Sequence, residues 1–239
     1  MRSHTGWNTR WIQLLLLVWF AGSCQPAEEK TEPPTSSILI ANMTEEKVDA
    51  MRWMNAPESY VVANKTLHVT VDKGTDFFNN PEDSSVVGTA PLLYQEVEGD
   101  FVVKALVQPD FSDQWNAVAL MFHIDSLNWI KFAFENSDAT GPSIVTVVTK
   151  GTSDDANGVL LNAQPMVWLA LVRKGSIYSM HWSVDGESYQ MARLTSMANQ
   201  PSVKVGIEAQ SPVGTRATHQ IHSFELVART VSNLRNLNE

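Results

Sequence analysis

The chain has 239 residues, of which 44% are hydrophobic and 18% are charged, and its formal net charge is −9. These values indicate a globular protein with a sizeable core, and the length does not demand a second domain. The acidic balance argues against nucleic acid and anionic membrane surfaces as partners, because both repel a negatively charged protein. The single cysteine, Cys24, excludes disulfides within the chain.

Residues 1–23 are predicted to be a secretory signal peptide. Arg2 and Arg10 supply its positive charge, and residues 11–20 form an apolar run that is short for a membrane span. Without this segment, 15 basic residues face 26 acidic ones, so the remaining chain has a formal charge of −11.

Small residues at positions 21–23 precede Cys24. This arrangement resembles a bacterial lipoprotein signal, which implies that Cys24 is acylated and becomes the mature N-terminus. An ordinary signal peptide with an incidental cysteine is the alternative. Because Gln25 rather than aspartate follows the cysteine, the resemblance to enterobacterial sorting favours the outer membrane. Whether the protein faces the periplasm or the cell surface stays open.

Residues 24–40 are predicted to be a flexible tether, since they are charged, contain prolines and lack apolar periodicity. The tether would hold a domain over residues 41–230 away from the membrane, and the lipid would be its only membrane contact. Residues 231–239 are predicted to be a frayed polar tail.

The domain begins with a predicted helix within residues 44–54, capped by Thr44. Alternation of apolar and polar residues then predicts a strand over residues 67–72 and another over 100–108. Residues 75–85 lie between these strands and are dense in turn formers, so they are predicted to be a long surface loop.

Residues 115–135 (WNAVALMFHIDSLNWIKFAFE) are predicted to form a hairpin with its turn at residues 126–128. Successive side chains of a strand point to opposite faces. Phe122, Phe132 and Phe134 therefore belong to a wholly apolar face and are predicted to lie in the core.

Short strands continue to the end of the domain. They are predicted over residues 144–149, 167–172, 177–184, 203–209 and 219–227, with a polar loop at 152–158 and an Asp-Gly turn at 185–186. Trp168 and Trp182 fall on alternating apolar sets and are predicted to be core. Turns every eight to twelve residues or so indicate an all-β sandwich or barrel.

Several segments together resemble one domain family over about residues 50–228. They are WMNAPESYVV (53–62), GTDFF (74–78), LYQEVEGDFVVKALVQPDF (93–111), AVALMFHIDSLNWIKFAFE (117–135), VVTKGTSD (147–154), LALVRKGSIYSMHWSVDGESY (169–189) and VKVGIEAQSP (203–212). The family is of unknown function, is often labelled "regulation of enolase", and belongs to the concanavalin A-like lectin/glucanase superfamily.

The resemblance implies a jelly-roll sandwich of two antiparallel sheets, and relatives in the superfamily bind or cleave carbohydrate on the concave sheet. Two positions depart from the family. His123 stands where arginine is common, and Asp155 stands where an aromatic residue is usual.

Catalytic patterns are weak. Glycoside hydrolysis uses two carboxyl groups that flank the scissile bond. The hydrolytic branch of the superfamily carries a Glu-x-Asp-x-x-Glu strand, which does not occur here: Ala133 precedes Glu135 by two residues. The chain also lacks a G-x-S-x-G motif and a cysteine pair, so we do not expect an enzyme.

No cofactor is expected. His219 and His222 would lie on opposite faces of a strand and are predicted to be a surface pair. Residues 153–158 (SDDANG) loosely resemble a calcium loop, but serine occupies its first position and Gln164 its twelfth. A solvated turn is therefore preferred to a structural calcium site.

The mixed face of the hairpin carries the candidate site, which consists of His123, Trp129, Lys131 and Glu135. A tryptophan can stack on the apolar face of a sugar, while neighbouring polar groups bind its hydroxyls. The expected function is noncatalytic binding of a glycan or polysaccharide by an envelope-anchored protein. A glycoside hydrolase or lyase, and a ligand-free scaffold subunit of an envelope complex, are the alternatives.

Overall fold

The computed structural model describes residues 42–238, so Cys24, the predicted signal peptide and the whole predicted tether lie outside the described residues. In chain order the elements are α1 (Glu45–Asp49), β1 (Arg52–Met54), β2 (Ser59–Ala63), β3 (Thr66–Asp72), β4 (Phe77–Asn79), β5 (Val86–Gly88), β6 (Leu92–Glu98), β7 (Phe101–Gln108), β8 (Ala117–Asp125), β9 (Asn128–Ser137), β10 (Gly141–Lys150), β11 (Thr152–Leu160), β12 (Val167–Lys174), β13 (Ile177–Ser183), β14 (Gln190–Ser196), β15 (Ser202–Gln210) and β16 (Arg216–Ala228). The helix is capped by the side chain of Thr44, as predicted, but it is shorter than predicted.

Two seven-stranded antiparallel sheets pack face to face. The front sheet has the order β1-β6-β15-β8-β9-β10-β11, and the back sheet has the order β14-β13-β12-β7-β16-β3-β2. The predicted hairpin forms the centre of the front sheet, where Leu120 pairs with Phe132. This arrangement is a jelly-roll sandwich, so the predicted all-β fold is confirmed.

The core lies between the inner faces of the sheets. Phe122, Phe132 and Phe134 are fully buried there, as their alternation predicts. Phe122 meets Tyr178 of the back sheet with ring centroids 4.4 Å apart. Trp182 also joins this core.

Trp168 packs elsewhere than predicted. It lies on the outer face of the back sheet, in a separate cluster with Val102, Tyr189 and Leu237. Leu237 belongs to the predicted tail, and Asn238 exchanges hydrogen bonds with the backbone of Tyr189 at 2.7 and 3.1 Å. Residues 231–238 are therefore not frayed, because their few apolar side chains cover apolar surface of the back sheet.

One predicted loop is a strand, and another contains a short one. Residues 152–158 lie in β11, the edge strand of the front sheet, where exposed polar side chains are typical. Residues 75–85 include β4, which pairs with β5. We call residues 74–91 the strap, because this segment crosses the outer face of the front sheet. Phe77 and Asn79 of the strap are buried against that sheet.

Trp129 and Phe132 are both fully buried, one beneath the strap and the other between the sheets. We expect Trp129→Ala and Phe132→Ala each to lower the free energy of unfolding by about 3–5 kcal/mol, because each leaves a cavity. Leu127→Ala, at a side chain that is 47% exposed in the intervening turn, should change it by less than about 0.5 kcal/mol. Urea denaturation measures all three. A Trp129 loss no larger than that of Leu127 would contradict the placement of the strap.

Candidate functional site

The strap covers two of the four predicted site residues. The Phe77 ring meets the rings of Trp129 and His123 edge to face, with centroids 6.0 Å apart in each pair. Trp129 is fully buried and His123 is 6% exposed. Trp129 therefore cannot stack on a ligand, and its predicted role is wrong. Burial, with Lys204 nearby, lowers the pKa of His123 to about 4, so this ring is neutral near pH 7.

Lys131 holds the strap to the sheet. Its Nζ donates hydrogen bonds to Asp76 Oδ1 and the Phe77 carbonyl, both at 2.9 Å, and to Gln210 Oε1 at 2.8 Å. An ammonium group has three donors, so these bonds use all of them. The predicted role of Lys131 as a donor to ligand hydroxyls is therefore wrong in this structure.

A second contact holds the far end of β4. Asn79 Nδ2 donates to the carbonyls of Ser126 and Gly151, each at 2.9 Å, and its backbone N–H donates to Ser153 Oγ at 2.9 Å. The strap is thus bonded to the front sheet on both sides of Phe77. His123 and Trp129 stay covered as a result.

Two further carboxyl groups are buried close to Lys131. Glu208 is fully buried, and neither of its carboxyl oxygens has a hydrogen-bond partner among the described residues. Burial raises the pKa of Glu208 to about 8 and that of Glu135 to about 7, although the Lys131 charge opposes both shifts. Burial disfavours the Lys131 charge too, but Asp76, Glu208 and Glu135 raise its pKa overall. The lysine therefore remains charged.

A cavity of about 260 Å³ opens on the outer face of the front sheet, beside the strap. It is lined by Asp76, Phe78, Trp115, Lys131, Glu135, Ser137, Asp138, Val145, Val147, Asp155, Asn157 and Gln210. We call this cavity the acidic pocket, because it has four carboxylic acids and one lysine in its lining. Of the predicted site, Glu135 and Lys131 contribute to it.

The pairing of β9, β10 and β11 explains which side chains form the floor of the acidic pocket. Lys131 pairs with Val147, which pairs with Asp155, and Ala133 pairs with Val145, which pairs with Asn157. Directly paired residues of antiparallel strands share a face. Asp155 and Asn157 of β11 therefore point into the acidic pocket, and Ser137 Oγ donates to Asn157 Oδ1 at 2.8 Å.

Trp115 supplies the large aromatic wall of the acidic pocket. Its side chain is half-buried, and its φ of 61° lies in the left-handed region, which costs a tryptophan on the order of 1–3 kcal/mol. Two hydrogen bonds hold it: Trp115 N donates to the Asn136 carbonyl at 2.7 Å, and Gln210 Nε2 donates to the Trp115 carbonyl at 2.8 Å. The sequence gives one indication that Trp115 could be a site residue: it lies within a polar turn, residues 111–116 (FSDQWN).

His219, in β16 of the back sheet, forms hydrogen bonds with the backbone of Asp110 and of Gln210. Its Nδ1 accepts from Asp110 N, and its Nε2 donates to the Gln210 carbonyl, both at 3.1 Å. Burial lowers its pKa to about 4, which leaves the ring neutral for these two roles. His219 is thus fully buried, and His222 contacts Thr66 and Gln108, so the predicted surface pair is wrong. A bulge between Ile221 and Ser223 places His222 outside the regular alternation.

Residues 42–238 show neither a metal-binding cluster nor a membrane-spanning helix. No group of three or more His, Cys, Asp or Glu side chains in this range could hold a metal ion. Ser153 of the calcium-like segment bonds to Thr149 Oγ1 at 2.8 Å and to Asn79 N at 2.9 Å. No helix in the same range is long and apolar enough to cross a membrane.

Comparisons with known proteins place the fold. A family model described as "Protein of unknown function (DUF1349)" matches residues 53–228. A comparison with curated proteins found no match. A functionally unknown protein from Saccharomyces cerevisiae superposes with a TM-score of 0.71 at 21% sequence identity, over 77% of this chain and 99% of that chain.

Two carbohydrate-related structures are also similar. The VIP36 exoplasmic/lumenal domain, in a Ca²⁺/Man3GlcNAc-bound form, has a TM-score of 0.52 at 9% identity, over 81% of this chain and 89% of that chain. A xylan β-1,4-xylosidase from Bacillus halodurans C-125 has a TM-score of 0.55 at 12% identity, over 78% of this chain and 38% of that chain. These likenesses show the concanavalin A-like lectin/glucanase fold; fold alone assigns no function.

The buried carboxyl groups predict how stability depends on pH. The pKa of Glu208 rises from 4.5 to about 8 on folding, so the folded state binds more protons than the unfolded state between these values. Between about pH 6.5 and pH 8, the free energy of unfolding should therefore fall, by at most about 1.4 kcal/mol per pH unit for each proton. Below this range the buried rings of His123 and His219, whose pKa values are lowered to about 4, act in the opposite direction.

Glu208→Gln should make this decline shallower, as measured by urea denaturation followed through tryptophan fluorescence. Glu98→Gln is the matched control, because Glu98 is exposed on the same sheet. Equal slopes for the Glu208 variant and the unaltered chain would contradict the raised pKa.

Proposed function

The chain belongs to the family described as "Protein of unknown function (DUF1349)", and on that premise we propose that its acidic pocket binds a glycan without cleaving it. The observation that carries this proposal is Trp115. A half-buried tryptophan is held in a strained backbone conformation at the wall of a polar pocket. Strain of this kind persists where the surrounding structure enforces it, and it is frequent at ligand sites.

The lining suits the chemistry of a sugar. A sugar ring has an apolar C–H face, which an aromatic ring can cover, and a rim of hydroxyls, which need fixed donors and acceptors. Trp115 and Phe78 supply aromatic surface, and Asn157 supplies an amide. Glu135 accepts when ionised and donates when protonated, so it can serve either hydroxyl role. The volume of about 260 Å³ suits one sugar unit of a longer chain.

Charge narrows the class of glycan. The carboxyl groups of the acidic pocket and the net charge of the chain both disfavour sulfated and uronic sugars. The similar structures support carbohydrate as the ligand class, since one is a form bound to Man3GlcNAc and another is a xylosidase.

Hydrolysis of a glycan is the second candidate. One observation favours it: burial raises the pKa of Glu135 to about 7, and Asp138 and Asp155 line the same pocket. A protonated carboxyl opposite an ionised one is the pair that glycoside hydrolysis requires. The absent Glu-x-Asp-x-x-Glu strand makes binding without cleavage the preferred function.

A glycan array and calorimetry test the proposal. The full chain is kept in detergent because of its apolar residues 11–20, and hits are measured again with Trp115→Ala. We expect this substitution to weaken binding about tenfold, which corresponds to about 1.4 kcal/mol, and Trp115→Phe to restore most of it. Trp53→Ala is the control, because Trp53 is also half-buried but lies beside Tyr60, outside the acidic pocket.

Three results would overturn this proposal in different ways. Binding that survives Trp115→Ala unchanged would move the site elsewhere. Shortened oligosaccharides after incubation would favour hydrolysis. If the array gave no ligand at all, the scaffold alternative would take its place.

We also propose that an acyl chain on Cys24 anchors the protein in a bacterial envelope, with the outer membrane favoured. The support is the sequence of residues 11–25 alone. In a bacterial host, mass spectrometry of the mature N-terminus should find Cys24 as the first residue and acylated, and Cys24→Ser should abolish processing at this position. An unmodified N-terminus downstream of Cys24 would reject the anchor.

A further inference from the structure

One buried carboxyl group in the acidic pocket has no protein partner. Glu135 is 7% exposed and lines the cavity, yet none of the described residues donates a hydrogen bond or forms an ion pair with its carboxyl group. Lys131 is close enough to affect it electrostatically, but its three donors are directed to Asp76, Phe77 and Gln210. A buried carboxyl without a donor is costly, and a ligand that supplies one would relieve this cost.

The surroundings of Glu135 favour a cation over a neutral donor. Asp138 and Asp155 are exposed at the rim of the acidic pocket, and the charge of Asp76 is already matched by Lys131 at 2.9 Å. Among the residues that line the pocket, three carboxyl groups thus lack a matching positive charge. A neutral hydroxyl could bond to Glu135, but it would leave the excess of negative charge in the acidic pocket unchanged.

We infer that the acidic pocket selects glycans with a free primary amine, that is, hexosamine units that are not acetylated. This inference rests on the proposed glycan-binding function and names its ligand class. The ammonium group lies at Glu135, where a charge-assisted hydrogen bond replaces the missing donor. The sugar ring packs against Trp115, and its remaining hydroxyls meet Asn157.

N-acetylation removes the positive charge of the amine, and a uronic acid carries a negative charge instead. Both changes weaken binding for the same physical reason, since the unmatched carboxylates then face a neutral or a negative group. A bare metal ion is a poorer fit, because no group of three or more suitable side chains within residues 42–238 could hold one.

Three β-1,4-linked tetrasaccharides that differ at carbon 2 of each ring test the inference: the tetramer of glucosamine, its N-acetylated counterpart, and cellotetraose. Calorimetry is performed near pH 7 at low salt with the full chain. We expect the glucosamine tetramer to bind about tenfold more tightly than cellotetraose, the effect of one charge-assisted contact. In about 1 M salt, where the Debye length is about 3 Å, this preference should shrink.

Glu135→Gln should abolish the preference, so that this variant binds the glucosamine tetramer and cellotetraose with about equal affinity. The variant preserves the shape of the side chain, and circular dichroism verifies its fold. Glu98→Gln, which removes the same charge from an exposed position of the front sheet, should leave the preference intact.

The two proposals fail differently. Equal binding of the glucosamine tetramer and cellotetraose, or a preference for the N-acetylated form, overturns the amine inference and leaves glycan binding standing. The same holds if all three probes fail to bind while the array yields another glycan. If neither the probes nor the array gives a ligand, both proposals are wrong.

Discussion

The outer face of the front sheet depends on the ammonium group of Lys131. Its three hydrogen bonds join the strap, through Asp76 and Phe77, to β15, through Gln210. Gln210 in turn bonds to the Trp115 carbonyl. One buried cation therefore connects the segment that closes most of this face with the loop that forms the wall of the acidic pocket. Breaking such a buried ion pair on one side typically costs about 3–5 kcal/mol, because the partner charge is left uncompensated.

The charge of Lys131 also reduces the free-energy cost of burying carboxyl groups beside the acidic pocket. Glu208 and Glu135 lie close enough to Lys131 for its charge to lower their pKa values, although burial still raises both overall. Without that charge, two buried carboxyl groups and Asp76 would repel one another in a medium of low dielectric constant. The fold thus retains buried carboxyl groups at some cost in stability. Of Glu135 and Glu208, Glu135 is the one that lines the acidic pocket.

The alternation of apolar and polar residues correctly predicts the front-sheet hairpin and the burial of Phe122, Phe132 and Phe134, since strand periodicity is a local property. It also identifies the opposite face, which carries Lys131 and Glu135. It cannot show that residues 74–91 cross that face and bury Trp129, because the covering segment is about fifty residues away in the chain. Strand alternation also cannot predict the position of Trp115, because this residue lies in a turn and is held by long-range contacts to Asn136 and Gln210.

We propose that the ligand site is the acidic pocket beside the strap, with Trp115 as its aromatic wall. The decisive experiment is a crystal structure of the chain with a glycan identified on the array. We expect electron density for a sugar ring against the Trp115 indole, with a polar substituent within hydrogen-bond distance of Glu135, and an unmoved strap over Trp129. A sugar stacked on Trp129 after displacement of the strap, or bound to the back sheet, would contradict it.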